Sequence, residues 1–137
     1  VIPRLPQYLG LAVETVWHDL LLGRAGTDLV PFAATTAGRY WSPTAEFDVV
    51  LLDDDRSHAF VGEIKWGSRP VSSRLLDKLR ERVAGEAAFR GKRITHAIVS
   101  RSGFGDDREL ATDERLVDAR TFSLDGSGHV GEVNVGW

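Results

Sequence analysis

Apolar residues recur with helical spacing in two parts of this chain. From Gln7 to about Gly23 they follow the pattern of an amphipathic helix, at Leu9, Val13, Val16, Trp17, Leu20 and Leu21. A second stripe follows Ser72 and Ser73, either of which can cap a helix N-terminus, and stops at Gly91. Its apolar members are Leu75, Leu76, Leu79, Val83 and Ala87. The pattern predicts two helices, each with one buried face.

Short runs rich in β-branched and aromatic residues lie between and after these stripes. They predict strands at about 35–41, 45–52, 58–66, 93–100 and 114–120. A short helix is predicted from Asp106 or Asp107 to about Asp113, and 130–137 is interpreted as an added hairpin arm or a tail. The order α-β-β-β-α-β-α-β predicts an α/β fold with a mixed central sheet flanked by helices.

The second and third strands predict a β-hairpin that carries acidic residues. Its turn is the cluster Asp53-Asp54-Asp55-Arg56-Ser57. If the turn is centred between Asp55 and Arg56, opposed residues have numbers that sum to 111, so Asp48 faces Glu63. Side chains alternate along a strand, which places Asp48 on one face with Val50 and Leu52. Opposed β-carbons lie roughly 4.5–5.5 Å apart, and Lys65 follows on the same face as Glu63.

Two facing carboxylates on a hairpin repel each other, so the pattern needs an explanation. One interpretation is a solvated face. The other follows from the apolar residues on both faces of both strands, which indicate a sheet covered on both sides. Half-buried carboxylates are costly without a partner, and Mg²⁺, which takes oxygen ligands, would provide one. From the residues alone, both interpretations stay open.

Composition narrows the class of protein. The length of 137 residues predicts one domain over 1–137. The chain contains no cysteine, which excludes disulfides and thiolate metal sites and is compatible with a reducing cytoplasm.

Because methionine is also absent, we expect a domain excised from a longer protein. The formal net charge of −3 argues against a general nucleic-acid coating. No apolar run is long enough to span a bilayer, so no membrane partner is expected.

One part of the hairpin resembles a known enzyme superfamily. Asp48 followed by Glu63-Ile64-Lys65 resembles the PD-(D/E)XK nucleases, whose fold is restriction-endonuclease-like with a core of order α-β-β-β-α-β. More narrowly, GRYWSPTAEFDVVLLDDD and then VGEIKWGSRPV resemble the nuclease-like domain at the C-terminal end of archaeal-type DEXX-box ATPases. The resemblance covers roughly residues 8–102. It implies a nuclease that uses Mg²⁺ or Mn²⁺, with DNA and an upstream ATPase domain of the same polypeptide as partners.

The resemblance also implies a role for each matched residue. Asp48 and Glu63 bind the metal, Ile64 lends its carbonyl, and Lys65 orients or activates the attacking water. Glu14 occupies the place of a glutamate on the first helix that completes the site in many members. There is one departure: Phe47, not proline, precedes Asp48. Glu46 resembles a Glu-x-Asp variant that lacks its usual preceding glycine, which leaves the role of Glu46 open.

Basic and aromatic residues near these motifs are candidates for nucleic-acid contact. Arg69 and Arg74 follow the Glu-x-Lys strand, where a phosphodiester backbone would pass, and they are predicted to contact phosphate. Arg39 stands beside aromatic residues, a combination that can bind phosphate and stack bases. We expect Trp41 to cover the sheet and His18 to lie on the exposed surface.

The sequence does not contain the motifs of several other enzyme and metal-binding classes. The chain contains no P-loop, no zinc spacing of histidines and no G-x-S-x-G elbow. The leading hypothesis is therefore metal-dependent hydrolysis of DNA. Two alternatives remain: a catalytically idle module of the same fold that binds DNA or docks beside its ATPase, and a domain through which the parent ATPase self-associates into a homo-oligomer.

Overall fold

The computed structural model describes residues 7–122, and their side chains from residue 10 onward. Two helices and five strands follow in the order α-β-β-β-α-β-β, which confirms the predicted α/β class and its α-β-β-β-α-β core. They are α1 (Gln7–Leu22), β1 (Thr36–Trp41), β2 (Glu46–Leu52), β3 (His58–Lys65), α2 (Leu75–Ala84), β4 (Arg93–Ser100) and β5 (Glu114–Asp118), with a 3₁₀ turn at Ala87–Phe89 before β4. Neither helix is long and apolar enough to cross a membrane, among the residues described.

The five strands form one mixed sheet in the order β1-β2-β3-β4-β5. The first three strands are antiparallel neighbours, whereas β3, β4 and β5 are parallel. A parallel pair needs a long crossover, and α2 supplies the one between β3 and β4. The predicted mixed sheet is thus confirmed.

Each helix covers one face of the sheet. On the α1 face, the helix contributes Trp17 and Leu21 to a buried cluster that includes Val49, Leu51, Phe60, Ala97 and Val99. On the α2 face, Leu76, Leu79 and Val83 pack with Phe47, Val50, Ala59, Val61 and Ile98. Burial on both faces explains why β2, β3 and β4 carry apolar residues on both faces instead of a strict alternation of apolar and polar residues.

The β2-β3 hairpin has the predicted register. Val49 pairs with Gly62 and Leu52 with Ala59, so the paired numbers sum to 111. The turn contains Arg56 at a φ of 59°, and the Asp53 carboxylate accepts a hydrogen bond from the His58 N–H at 3.1 Å. Side chain to backbone bonds of this kind are typical of aspartate in turns.

A β-bulge in β2 corrects one prediction about the hairpin. Gly38 pairs with Val50 but Tyr40 with Phe47, so Arg39 opposes two residues, Asp48 and Val49. The extra residue interrupts the alternation, and Phe47 packs on the same α2 face as Val50. The prediction that Asp48 shares a face with Val50 is therefore wrong.

Three element boundaries also differ from the prediction. The second helix ends at Ala84, well before Gly91, and no helix forms between 106 and 113. Asp106 does not cap a helix there, because its carboxylate accepts hydrogen bonds from the N–H and Oγ of Ser73 at 2.8 and 2.6 Å. The last strand ends at Asp118, and the predicted arm at 130–137 lies outside the described residues.

Candidate active site

A small cleft opens on the α1 face at the end of the sheet where β3 finishes. Its volume is about 120 Å³, and it is lined by Gly10, Val13, Glu14, Asp48, Ile64 and Trp66. Gly10 lacks a side chain, and no atom lies within 4 Å of where its Cβ would stand. Three of the predicted site residues, Glu14, Asp48 and Ile64, thus meet in this cleft, which we call the acidic cleft.

Asp48 is held in the acidic cleft by two backbone hydrogen bonds. Its Oδ2 accepts from the Ile64 N–H at 2.8 Å. Its carbonyl oxygen lies 2.8 Å from Nε2 of His18 on α1, and because a carbonyl can only accept, that nitrogen carries the proton. His18 is half-buried, so the expectation of an exposed histidine is wrong.

Glu14 lies in the same cleft with its carboxylate mostly buried. Its side chain is 17% exposed and its Oε1 is 3.7 Å from Nε of Arg39. That oxygen is buried without a hydrogen-bond partner in the part of the chain that the structure describes. Burial, and next the negative charge of Asp48, raise the pKa of Glu14 above its ordinary value. Two carboxylates thus share a cleft in which one is poorly solvated.

Glu63 and Lys65 lie on the other face of the sheet. Ile64 between them packs with the α1 cluster, and the alternation of a strand directs its neighbours toward α2. There the Glu63 carboxylate forms an ion pair with Arg82 of α2, and its Oε2 lies 3.5 Å from Nζ of Lys65. Glu63 and Asp48 therefore lie on opposite faces of the sheet, and their carboxylates do not meet.

The other predicted contact residues have different surroundings. Arg39 forms ion pairs with Glu14 and, at 3.0 Å, with Glu46. Arg69 and Arg74 are exposed, between the end of β3 and the start of α2. Trp41 is 70% exposed, so the expectation that it covers the sheet is wrong. It stands near the end of β1, where the chain leaves the sheet.

The donor set of the acidic cleft fits a hard cation only in part. Glu14 and Asp48 supply oxygen ligands, and a protein commonly holds Mg²⁺ by one or two carboxylates with waters in the remaining positions. The buried Glu14 Oε1, which has no hydrogen bond within residues 7–122, is consistent with such a ligand. However, no group of three or more His, Cys, Asp or Glu side chains is placed to hold a metal within residues 7–122. Glu63 does not join the pair in this conformation.

Two residues of the site carried no distinctive sequence signal. His18 stands on α1 four residues after Glu14, on a polar side of the helix, and nothing in the pattern pairs it with β2. Arg82 is one of several charged residues on the outer side of α2, and only the packing of α2 on β3 selects it as the partner of Glu63.

Parts of this chain are similar to known proteins. Over 60 residues the chain is 33% identical to an uncharacterized protein of Methanocaldococcus jannaschii, and the match covers 44% of this chain. The chain spans only 14% of that relative's length. The crystal structure of a repair endonuclease from Pyrococcus abyssi is similar over 77% of this chain and 42% of that one, with a TM-score of 0.44 and 13% identity.

A family model matches the N-terminal part of the chain. It is described as DUF234, "Archaea bacterial proteins of unknown function", and it matches residues 1–80. These residues include α1, the hairpin and the start of α2, and therefore every residue of the acidic cleft. Because more than half of the chain is matched, the chain belongs to the DUF234 family.

Proposed function

We propose that this chain is a metal-dependent nuclease domain that hydrolyses phosphodiester bonds in DNA. The observation that carries the proposal is the presence of Glu14 and Asp48 in one cleft. Glu14 Oε1 is buried there and has no hydrogen bond within the described residues, with Arg39 3.7 Å away. Arg39 is shared between Glu14 and Glu46, so the two carboxylates of the cleft keep negative charge that a bound cation would compensate. The resemblance of Asp48 and Glu63-Ile64-Lys65 to the PD-(D/E)XK pattern supports the same chemistry.

Glu14 and Asp48 would hold the cation, Mg²⁺ or Mn²⁺. Such an ion, when bound, neutralises phosphate charge and lowers the pKa of a bound water. The hydrogen bonds from Ile64 N–H and His18 fix Asp48 against the cleft wall. Positioning of this kind reduces the loss of conformational freedom on binding.

The basic residues around the cleft fit contacts with the substrate backbone. Arg39 lies beside Glu14. If a bound cation replaced Arg39 as the partner of the Glu14 carboxylate, Arg39 would be available to bind a phosphate group. Arg69 and Arg74 are exposed just beyond β3, and we assign them phosphate contacts that do not depend on sequence. Lys65 and Glu63 lie on the α2 face, so they would complete the site only if Glu63 left Arg82 and the end of β3 rearranged. The upstream ATPase domain remains a proposal that rests on the sequence resemblance.

One specific observation favours a second candidate, a catalytically idle docking module. Glu63 and Lys65 pair with each other, and Glu63 also pairs with Arg82. A site whose acid and base neutralise each other resembles a structural salt-bridge network. In that case the domain would bind DNA, its ATPase or a second copy of itself without cleaving.

Calorimetric titration of Mn²⁺ tests the proposal without knowledge of the substrate. We expect wild-type protein to bind Mn²⁺ and both Glu14→Ala and Asp48→Ala to lose at least tenfold in affinity. Glu81→Ala is the matched control, because it removes an exposed glutamate of α2 and should leave the affinity unchanged. Equal binding by all four proteins would contradict a cation site in the acidic cleft.

The Arg82→Gln variant separates the two candidates. It releases Glu63 from its partner on α2 and so favours that rearrangement of β3. A nuclease should then bind Mn²⁺ more tightly or cleave plasmid and single-stranded DNA faster. Lys78→Gln removes an exposed cation from the same helix and is the control. If Arg82→Gln changes neither property while the DNA stays intact with wild type, the docking module is the better description. Sedimentation velocity would then test self-association.

A further inference from the structure

A second cleft lies at the opposite end of the sheet from the acidic cleft. The parallel pair β3 and β4 begins with His58 beside Arg93 and ends with Lys65 beside Ser100. The acidic cleft lies at the Lys65 end. The second cleft lies near the start of β4, between that strand, the end of α2 and the 3₁₀ turn, and its volume is about 290 Å³. This is near the lower end of the range for small-molecule sites, so we call it the distal cleft.

His96 lines the distal cleft, and one of its ring nitrogens has no hydrogen bond within residues 7–122. The residue is 4% exposed, and its Nδ1 is buried with no partner among the described residues. Asp113 Oδ2 stands 3.6 Å away, which is beyond hydrogen-bond length. The Asp113 carboxylate is instead used by Arg80, which donates to its two oxygens at 2.9 and 2.8 Å.

The His96 ring is suited to a polar uncharged partner. Burial, and next the positive charge of Arg80, lower the pKa of His96, so the imidazole is neutral near pH 7. A neutral imidazole has one donor and one acceptor nitrogen. Most buried polar side-chain atoms in native proteins have a partner. A hydroxyl group of a ligand in the distal cleft could provide one.

Positive charge surrounds the same cleft. Arg90 and Lys92 both line it. Arg90 is exposed, and Lys92 donates from Nζ to the Arg56 carbonyl. Within residues 7–122 neither side chain forms an ion pair. Asp113 is balanced by Arg80, so two positive charges remain. The apolar wall of the cleft is formed by Val83, Ala84, Phe89 and Ile94.

We propose that the distal cleft binds a small phosphate monoester with a hydroxylated ring, a sugar phosphate or a nucleoside monophosphate. The phosphate lies between Arg90 and Lys92, whose charges match it. The ring lies against the apolar wall, and one hydroxyl group bonds with His96. The site is separate from the acidic cleft, so it does not depend on the proposed nuclease activity.

Calorimetric titration of the whole chain with four probes tests this proposal. The probes are ribose 5-phosphate, adenosine 5′-monophosphate, adenosine and inorganic phosphate. We expect at least one ester to bind at least tenfold more tightly than both adenosine and inorganic phosphate. The tighter ester identifies the ligand as a sugar phosphate or a nucleotide. Equal binding of inorganic phosphate and the esters, or no saturable binding at millimolar concentration, overturns the proposal.

Two further measurements locate the site. Arg90→Gln should weaken the tighter ester at least fivefold. Arg93→Gln removes an exposed arginine three positions away that does not line the cleft, and it should change the affinity less than twofold. In the wild-type protein, the NMR resonance of the His96 ring should shift on titration. Equal losses in the two variants, or a His96 signal that does not move, would contradict this location.

Discussion

Glu14 carries a charge that the fold stabilises poorly. Burial and the neighbouring Asp48 both raise its pKa, so the ionised form is less favourable in the folded state than in the unfolded chain. A raised carboxyl pKa makes stability fall as the pH rises through the ordinary value of 4.5 toward the folded pKa. We therefore predict that Glu14→Gln stabilises the protein at pH 7, by about 0.5–2 kcal/mol, as is common for improved charge placement.

Urea denaturation at two pH values measures this effect. At pH 7 the midpoint of Glu14→Gln should exceed that of the wild type. At pH 3.5, where the wild-type glutamate is also protonated in both states, the difference should disappear. A destabilised variant at pH 7 would mean that the ion pair with Arg39 outweighs burial and repulsion, and that Glu14 has a structural role rather than a ligand role.

At the scale of elements, Glu86 links the end of α2 to the end of β1 and the β1-β2 connection by hydrogen bonds. Its carboxylate accepts hydrogen bonds from Ser42 Oγ at 2.5 Å and Tyr40 Oη at 2.8 Å, and a further one from Thr44 Oγ1. The bonds from Ser42, Thr44 and Tyr40 lower its pKa. Because the depressed pKa belongs to the folded state, the stabilisation is present above pH 4.5 and is lost as the pH falls below that value.

We predict that Glu86→Ala lowers the thermal midpoint of unfolding at pH 7. The loss should shrink between pH 5 and pH 3, since protonation of the wild-type carboxyl weakens the same bonds. Glu81→Ala on the exposed side of α2 is the control, and it should leave the midpoint nearly unchanged at every pH. A pH-independent loss in Glu86→Ala would show that cavity formation, not the hydroxyl network, accounts for the effect.

These same elements show where sequence reasoning succeeds and where it stops. The hairpin register followed from one turn, because each paired residue fixes the next. The bulge at Asp48 could not be predicted, since the apolar pattern of β2 is compatible with either face when both are buried. Likewise Glu86, just after α2, binds hydroxyl groups more than 40 residues away in the chain, and no local pattern predicts that contact.

The bulge adds only one residue to β2, but it changes which acidic side chains meet in the site. Turning Asp48 to the α1 face brings it to Glu14 and separates it from Glu63. The sequence pattern predicted which residues are acidic and which strands carry them. It could not predict that Arg82 would take Glu63, because that choice depends on how α2 packs across the parallel strands.

At the scale of the whole molecule, the two helices are supported differently. The α2 helix is the crossover between β3 and β4, so the chain connects it to a strand of the sheet at each of its ends. The α1 helix precedes the sheet and is held mainly by packing. Trp17 is 4% exposed, and its ring lies 5.1 Å from Phe122 and 6.3 Å from Trp66, centroid to centroid. Trp17 therefore joins α1 to β3 and to the segment after β5.

This arrangement predicts that Trp17→Ala destabilises the whole domain. Removing a buried tryptophan leaves a cavity and typically costs about 3–5 kcal/mol, which is a large part of the 5–15 kcal/mol of a typical domain. The neighbouring Val16 is 53% exposed, so Val16→Ala should change the free energy of unfolding by no more than about 0.5 kcal/mol. Urea denaturation followed by far-UV circular dichroism measures both. If Trp17→Ala loses only the helical signal of α1 while the sheet unfolds at the wild-type midpoint, α1 is a separable lid, and the acidic cleft would open without loss of the fold.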